Sequence, residues 1–233
     1  TLNRIASRFS THKDFDGTLA HYTGRIIAPQ LKGKRALEAG CSTGVMTPML
    51  LRYAKELHVV EGSPLYAEIV RKRHKGKLHM NCCLFEDYVV QKPFDSVLFA
   101  GVLHHLDDPV AILRHARTWL KRGGALHVSV PNMTSFHREL GVAMHVTRTV
   151  YDTSERNVFF AQPGRFDKEK LVETVIQAGY KVIDCYGFFF KPFPHSVMNK
   201  MKLTGKVLDG LFEMGKRYPH LACQLYLKAE PMR

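Results

Sequence analysis

From about residue 35, short β-rich runs alternate with helical patterns: "RALEAG", "TPMLLRYAK", "ELHVVEG", "PLYAEIVRKR", "KLHMNCC", "FDSVLFAG", "PVAILRHARTWLKRG" and "ALHVSVPN". The strand runs are apolar on both faces. A sheet with one face in water does not need that, whereas a mostly parallel sheet covered by helices on either side does. The chain is therefore read as α/β, with a doubly wound, mostly parallel sheet and helices on both faces. At 233 residues it has room for one such domain spanning 1–233 and is too short for two full-sized ones.

Residues 1–34 contain "HKDFDGTLAHYTGRIIAPQLKGK", expected as an acid-started helix that ends near Pro29 and caps the sheet edge. Residues 133–166 hold an expected helix, "SFHRELGVAMHVT", followed by irregular polar sequence. An insertion of that length in a compact domain is commonly a lid or a substrate-binding segment. Beyond it, "YKVIDCYGFFFKPF" and "LACQLYLKAE" read as strands separated by a helix, which predicts an antiparallel pair at one edge of the sheet. On that helix Met198, Met201, Leu208 and Leu211 are expected to form the buried face, and Phe188 and Phe189 are expected in the core.

Lys plus Arg number 34 against 21 Asp plus Glu, a net charge of +13 that attracts anions. The densest run, Arg71 to Lys77, is placed where a helix ends and its dipole favours cations. It lacks the interleaved aromatics of a single-strand platform, which argues against nucleic acid as a partner. No apolar run approaches membrane-spanning length and the opening residues lack the pattern of a signal peptide, so a cytoplasmic protein without membrane contact is expected. Five cysteines without CxxC spacing indicate neither a zinc site nor a disulfide framework; they are expected as reduced thiols, mostly in strands.

"EAGCSTGVM", residues 38 to 46, admits two chemistries. Gly40-Cys41-Ser42-Thr43-Gly44 matches GxSxG, the nucleophile elbow, with Ser42 as nucleophile. It follows the first clear strand, however, and partners such as Asp184 and His195 are scattered. As a cofactor loop, the small residues at 40, 42 and 44 let a ligand approach the first βα turn. Glu61, at the end of the second strand, can accept both hydroxyls of an adenosine ribose. Val45 stands where a dinucleotide loop wants glycine, and no Lys follows as a P-loop needs, which favours an adenosine cofactor without a pyrophosphate.

In order and spacing, "ALEAGCSTG", "VVEGSP", "CLFEDY" and "FDSVLFAGVLHHLDDPVAILRHARTWLKRGGALHVSVPN" resemble the motifs of class I S-adenosylmethionine-dependent methyltransferases, particularly the small-molecule, ubiquinone-biosynthesis-like group. The resemblance implies a Rossmann-like, seven-stranded methyltransferase fold with an antiparallel C-terminal strand. It also implies S-adenosylmethionine as cofactor, S-adenosylhomocysteine as product and a small-molecule substrate.

Carried over by position, Glu38, Gly40, Ser42 and Gly44 lie along the methionine half of the cofactor. Glu61, Gly62 and Ser63 meet the ribose, Leu84, Phe85 and Glu86 cover the adenine, and Ala100 and Val102 floor the methyl-bearing sulfur. Glycine is commoner at position 42, but serine is small enough to keep the loop open. Tyr22 and Arg25 share a helix face and are placed near the methionine carboxylate.

His104 and His105 follow the fourth strand, where ligands of such sheets bind, and His105 is expected to face the acceptor as a base or to order the loop into "LDDP". Some relatives hold a divalent metal here with two glutamates and a histidine; Gly101 and His104 replace the carboxylates, so no metal is carried over. Asp107 and Asp108 are better placed to start the next helix. Substrate contacts are expected from Asn132, His137, Arg138, Tyr151 and Lys191, with Arg138 and Lys191 as clamps for an anionic acceptor. Together these readings predict methyl transfer to O, ranked ahead, or N of a polar metabolite of a biosynthetic pathway, with an anionic acceptor as one form of it. The alternatives are a protein or RNA methyltransferase and a catalytically silent cofactor-binding protein.

Overall fold

The computed structural model describes residues 2–232. Seven strands, β1 (Arg35–Ala39), β2 (Glu56–Val60), β3 (His79–Asn81), β4 (Phe94–Ala100), β5 (Leu120–Pro131), β6 (Tyr180–Phe188) and β7 (Gln224–Pro231), form one sheet in the order β3-β2-β1-β4-β5-β7-β6. β1 to β5 pair in parallel, and β7 runs antiparallel to both β5 and β6.

Alternate strand residues feed two cores. Leu37, Val97, Phe99 and Val128 pack on one side of the sheet, while Ala36, Leu57, Leu98 and Tyr226 pack on the other. Both faces are apolar because both are covered. On the first side the cover is α5 (Pro109–Ala116) and α8 (Lys168–Gln177), which contribute Leu113 and Leu171. On the other side α2 (Phe15–Ile27), α3 (Thr47–Tyr53), α4 (Pro64–Arg73) and α10 (Gly205–Arg217) contribute Leu19, Leu50, Val70 and Phe212.

Short helices complete the chain: α1 (Leu2–Arg8), α6 (Phe136–Ala143), α7 (Glu155–Phe159) and α9 (His195–Met198). The expected N-terminal helix is α2, capped by Asp14, whose carboxylate accepts from Asp16 N. It passes Pro29 as a 3-10 turn, Ala28–Leu31. The expected lid helix is shorter than its apolar pattern suggested, and α7 follows it, started by a reciprocal capping box of Ser154 and Asn157. Asp108 caps α5 through Ala111 N, and Arg71 to Arg73 form the last turn of α4, both as expected.

β6 stops at Phe188 because Phe189 adopts a positive φ of 63° and turns the chain; both phenylalanines are fully buried. The expected single helix is two, α9 and α10: Met198 ends the first and is buried, Leu208 and Leu211 of the second are half-buried beside the buried Phe212 and Gly215, and Met201 falls in the break between them and is exposed. The cysteines are free, yet only Cys185 lies inside a strand, the others sitting just beyond strand ends. No described helix is long and apolar enough to cross a membrane.

Candidate active site

Strand β1 has β2 on one side and β4 on the other, so the chain leaves its carboxyl end at a topological switch point, where open α/β sheets bind ligands. A cavity of about 1490 Å³ opens there. That exceeds the roughly 300–1,000 Å³ of a single small-ligand pocket and leaves room for a cofactor and an acceptor together.

The loop after β1 forms one end. Gly40 has φ +77°, and a Cβ there would lie 2.7 Å from Val102 Cγ2. Gly44, at φ +73°, lets the loop close onto Val70 of α4 and does not reach the cavity. Ser42 also takes a left-handed φ of 48°, and its hydroxyl shares a 2.8 Å hydrogen bond with Thr11.

The nucleophile-elbow reading fails here, because Asp184 is exposed on β6 and His195 is bound to Asp16 and Lys191 instead of the serine. Glu61 clamps the loop. Its Oε2 accepts from Cys41 N and Ser42 N, both at 3.0 Å, and its Oε1 from Ser63 N at 2.9 Å. Burial raises its pKa while the three amides oppose that rise. Ser63 stays behind the carboxylate as the N-cap of α4 and does not line the cavity, whereas Gly62 does. Leu84, Phe85, Glu86, Ala100 and Val102 line the same cavity.

Glu38 is buried on β1, accepting from Thr47 Oγ1 at 2.8 Å, and burial, reinforced by nearby Glu61, pushes its pKa up to about 8. It is therefore protonated at neutral pH. Ligand binding that brings a positive charge beside it is expected to release up to one proton. Calorimetry of S-adenosylmethionine binding in buffers of different ionisation enthalpy measures that release, and Glu38→Gln should remove it.

Across the loop lies α2, whose Asp16, Leu19, Ala20 and Thr23 face the cavity. Tyr22 and Arg25 share a face, but the opposite one, which corrects their expected place at the cofactor. Tyr22 O–H donates to Asp209 of α10 at 2.8 Å, Arg25 pairs with the same carboxylate, and the tyrosine ring packs on Phe189 and Phe212. The physical reason is helix phase: positions 16, 19, 20 and 23 form one stripe, and 22 and 25 fall outside it.

At the end of β4, His104 is buried with its Nδ1 unpartnered, and burial drives its pKa well below 6.5. The His105 side chain lines the cavity, with Nδ1 3.2 Å from the Phe160 carbonyl. If the ring is neutral, Nδ1–H donates and Nε2 keeps its lone pair. Burial also lowers the His105 pKa.

Residues 133–166 roof the site. Arg156 of α7 pairs with Asp14 at 2.9 Å and with Asp16, and Phe160 meets Phe9 edge-on at 4.6 Å between ring centroids.

Of the expected substrate contacts, Asn132, His137, Arg138 and Lys191 line the cavity, and Tyr151 does not. Tyr151 is exposed and its hydroxyl donates to Asp167. Asn132 is held by the Ala222 carbonyl at 2.8 Å, and Arg138 donates to the carbonyls of Val150 and Asp152, so its guanidinium staples the roof. Burial, with Lys191 next, lowers the His137 pKa to about 2.

Sequence reasoning missed Asp16, Arg156 and His195 as wall residues. The only signal was the "DFD" start of α2, because their pairings span 140 to 179 positions.

The Methyltransferase domain family profile matches residues 11–184. A ubiquinone biosynthesis O-methyltransferase of Xanthomonas euvesicatoria is 26% identical over 184 residues, covering 76% of this chain and 73% of that protein. Among solved structures, a S-adenosylmethionine-dependent methyltransferase of Thermotoga maritima, described as a possible histamine N-methyltransferase, superposes with TM-score 0.67 at 21% identity over 99% of both chains. The 1,6-didemethyltoxoflavin-N1-methyltransferase of Burkholderia thailandensis, solved with that compound and S-adenosylhomocysteine, gives TM-score 0.60 at 16% identity, covering 94% of this chain and 80% of that one.

The cofactor fits the residues present: a Cβ at position 40 would crowd Val102 in space that glycine leaves open to the cavity, and a buried carboxylate holds the loop. Its loop, its carboxylate and more than half of its length thus agree on one assignment, and the chain belongs to the methyltransferase domain family as a class I, S-adenosylmethionine-dependent methyltransferase.

Proposed function

We propose that this enzyme methylates an oxygen or nitrogen atom of a polar small metabolite in a biosynthetic pathway. The observation that carries this reading is the roof: α6 and α7 cover one continuous cavity running from the cofactor loop to Lys191 and His195. A small acceptor can be enclosed there, while a folded protein or RNA surface would meet the lid. The ubiquinone-type relative, an O-methyltransferase by name, supports oxygen as the methylated atom.

Glu38, Gly40, Ser42, Glu61, Gly62, Leu84, Phe85, Glu86, Ala100 and Val102 are the residues proposed to hold the cofactor. When bound, S-adenosylmethionine supplies a methyl group on a positively charged sulfur. The protein's contribution is then to hold the acceptor in line, in a site that excludes water. His105 is proposed to take the acceptor's proton. The Phe160 carbonyl can select the tautomer in which Nε2 is the accepting nitrogen; the Gln162 amide nitrogen stands 3.5 Å from it and has to give way to the acceptor. His104 is proposed to order this turn, since its own carbonyl accepts from Gly164 N at 3.1 Å and closes the lid onto β4.

The test is transfer of a labelled methyl group from S-adenosylmethionine into a metabolite extract, compared with protein and RNA fractions. Label is expected in a small molecule, absent with Glu61→Ala, and reduced about 100-fold with His105→Ala while cofactor binding is retained. Label only in macromolecules would overturn the reading.

A further inference from the structure

Lys191 is placed by the turn at Phe189 and lies in the cavity wall between β6 and α9, 2% exposed. An ammonium has three N–H donors. Among the described residues, this one has a single hydrogen-bond partner, Nδ1 of His195 at 2.9 Å, a neutral acceptor. The ring's other nitrogen, Nε2, donates to Asp16 Oδ1 at 2.7 Å.

Asp16 does not neutralise Lys191 by itself, because its second oxygen is taken by Arg156. The Arg138 guanidinium, also facing the cavity, is bonded to backbone carbonyls only. Asp14 shares Arg156 with Asp16, so the charges of this wall nearly balance, yet the buried Lys191 ammonium bonds no carboxylate directly and has N–H groups without acceptors. A buried cation so poorly paired is destabilising on its own and is relieved by a ligand that brings acceptors and a negative charge.

We infer that Lys191 anchors an anionic group of the methyl acceptor, a carboxylate or a phosphate, and that His195 and Asp16 position it. The inference rests on the small-molecule reading of the same cavity and names the acceptor's class. Asp16 links the anchor to the lid, since the same carboxylate holds Arg156 of α7.

Burial lowers the lysine's pKa to about 8. The charged and titratable groups facing it are Asp16 and Arg156, His137 and Arg138 of α6, Cys223 before β7, and His195. Anion binding is then expected below that pH and lost above it, when the amine is neutral.

Two measurements test this on the full chain saturated with S-adenosylhomocysteine. In the first, the 13Cε resonance of Lys191, assigned by its loss in Lys191→Met, is titrated with and without inorganic phosphate at matched ionic strength. The midpoint should lie near 8 and rise with phosphate. A midpoint in the ordinary lysine range that phosphate leaves unmoved would overturn the anchor.

In the second, the labelled product from the metabolite extract is passed over an anion-exchange resin. Retention is expected. Lys191→Met should cut labelling roughly 10- to 100-fold, the loss of one charge-assisted hydrogen bond, with Lys191→Arg keeping more activity. Lys191→Met should also raise Tm, because an apolar side chain of similar size replaces a poorly paired charge.

A labelled but uncharged product refutes the anchor while leaving the small-molecule reading intact. If no small molecule is labelled, that reading falls and the phosphate titration alone decides whether the anion site exists.

Discussion

Gly40→Ala is expected to lower the affinity for S-adenosylhomocysteine by at least about 100-fold in calorimetry, and to lower Tm. Two costs combine. A side chain in the left-handed region costs about 1–2 kcal/mol, and the new methyl would stand 2.7 Å from Val102 Cγ2. Either Val102 moves into the cavity or the loop lifts away from it. The loop cannot yield freely, because the next two amides, Cys41 N and Ser42 N, are held by Glu61. Gly33→Ala is the control: it has φ +73° with nothing within 4 Å of its Cβ, so it should lower Tm modestly and leave binding alone. Affinity for Gly40→Ala within threefold of wild type would show that the loop does not approach the cofactor.

Glu61→Ala is expected to combine the largest loss of stability with loss of cofactor binding. Removing the carboxylate strands three amide N–H groups in a buried place, at about 1–3 kcal/mol each. The loop and the start of α4 would loosen together, since Ser63 both bonds Glu61 and caps that helix. Glu61→Gln separates structure from charge. The side chain keeps its shape, but an NH2 group must face one of the amide donors, so a native-like fold with about 10- to 100-fold weaker S-adenosylhomocysteine binding is expected. Thermal unfolding and calorimetry on the three proteins decide it. Undiminished binding by Glu61→Gln would remove the carboxylate from the cofactor site.

The pH dependence has a definite sign. Glu38, and in the same direction Glu61, have pKa values raised in the folded state, so these two carboxyls contribute stability that is lost as pH rises from about 4.5 through about 8. His104, His127, His137 and His195, whose pKa values burial lowers, act in the opposite direction as pH rises towards 6.5. Denaturant titrations of wild type and Glu38→Gln side by side isolate the carboxyl: the wild type should lose stability relative to Glu38→Gln as pH rises through that window.

The cofactor end was legible because its determinants are local. Gly40 and Ser42 sit in the first βα turn and Glu61 ends the adjacent strand, so chain order and strand pairing bring them together. Tyr22 and Arg25 show where local reasoning stopped. A helical repeat says which residues share a face, and it correctly grouped this pair. Which way that face points depends on what packs against the helix, and Asp209, 184 positions beyond Arg25, drew the pair toward α10. Tyr151 likewise followed Asp167 outward.

The pairings within the wall around Lys191 lay beyond sequence reasoning for the same reason. Lys191 was visible as a cation after an aromatic run, but its isolation from counter-charge appears only once His195, Asp16 and Arg156 meet from three elements.

Periodicity, glycine placement and the strand-end acid by themselves determined the α/β class, the open turn after β1 and the Glu61 carboxylate beside it, because each is set by backbone sterics and short-range pattern. Tertiary packing alone decided which α2 face lines the cavity, which cations remain unpaired and how the lid is latched. Those outcomes depend on charges and side chains brought together from more than a hundred residues apart.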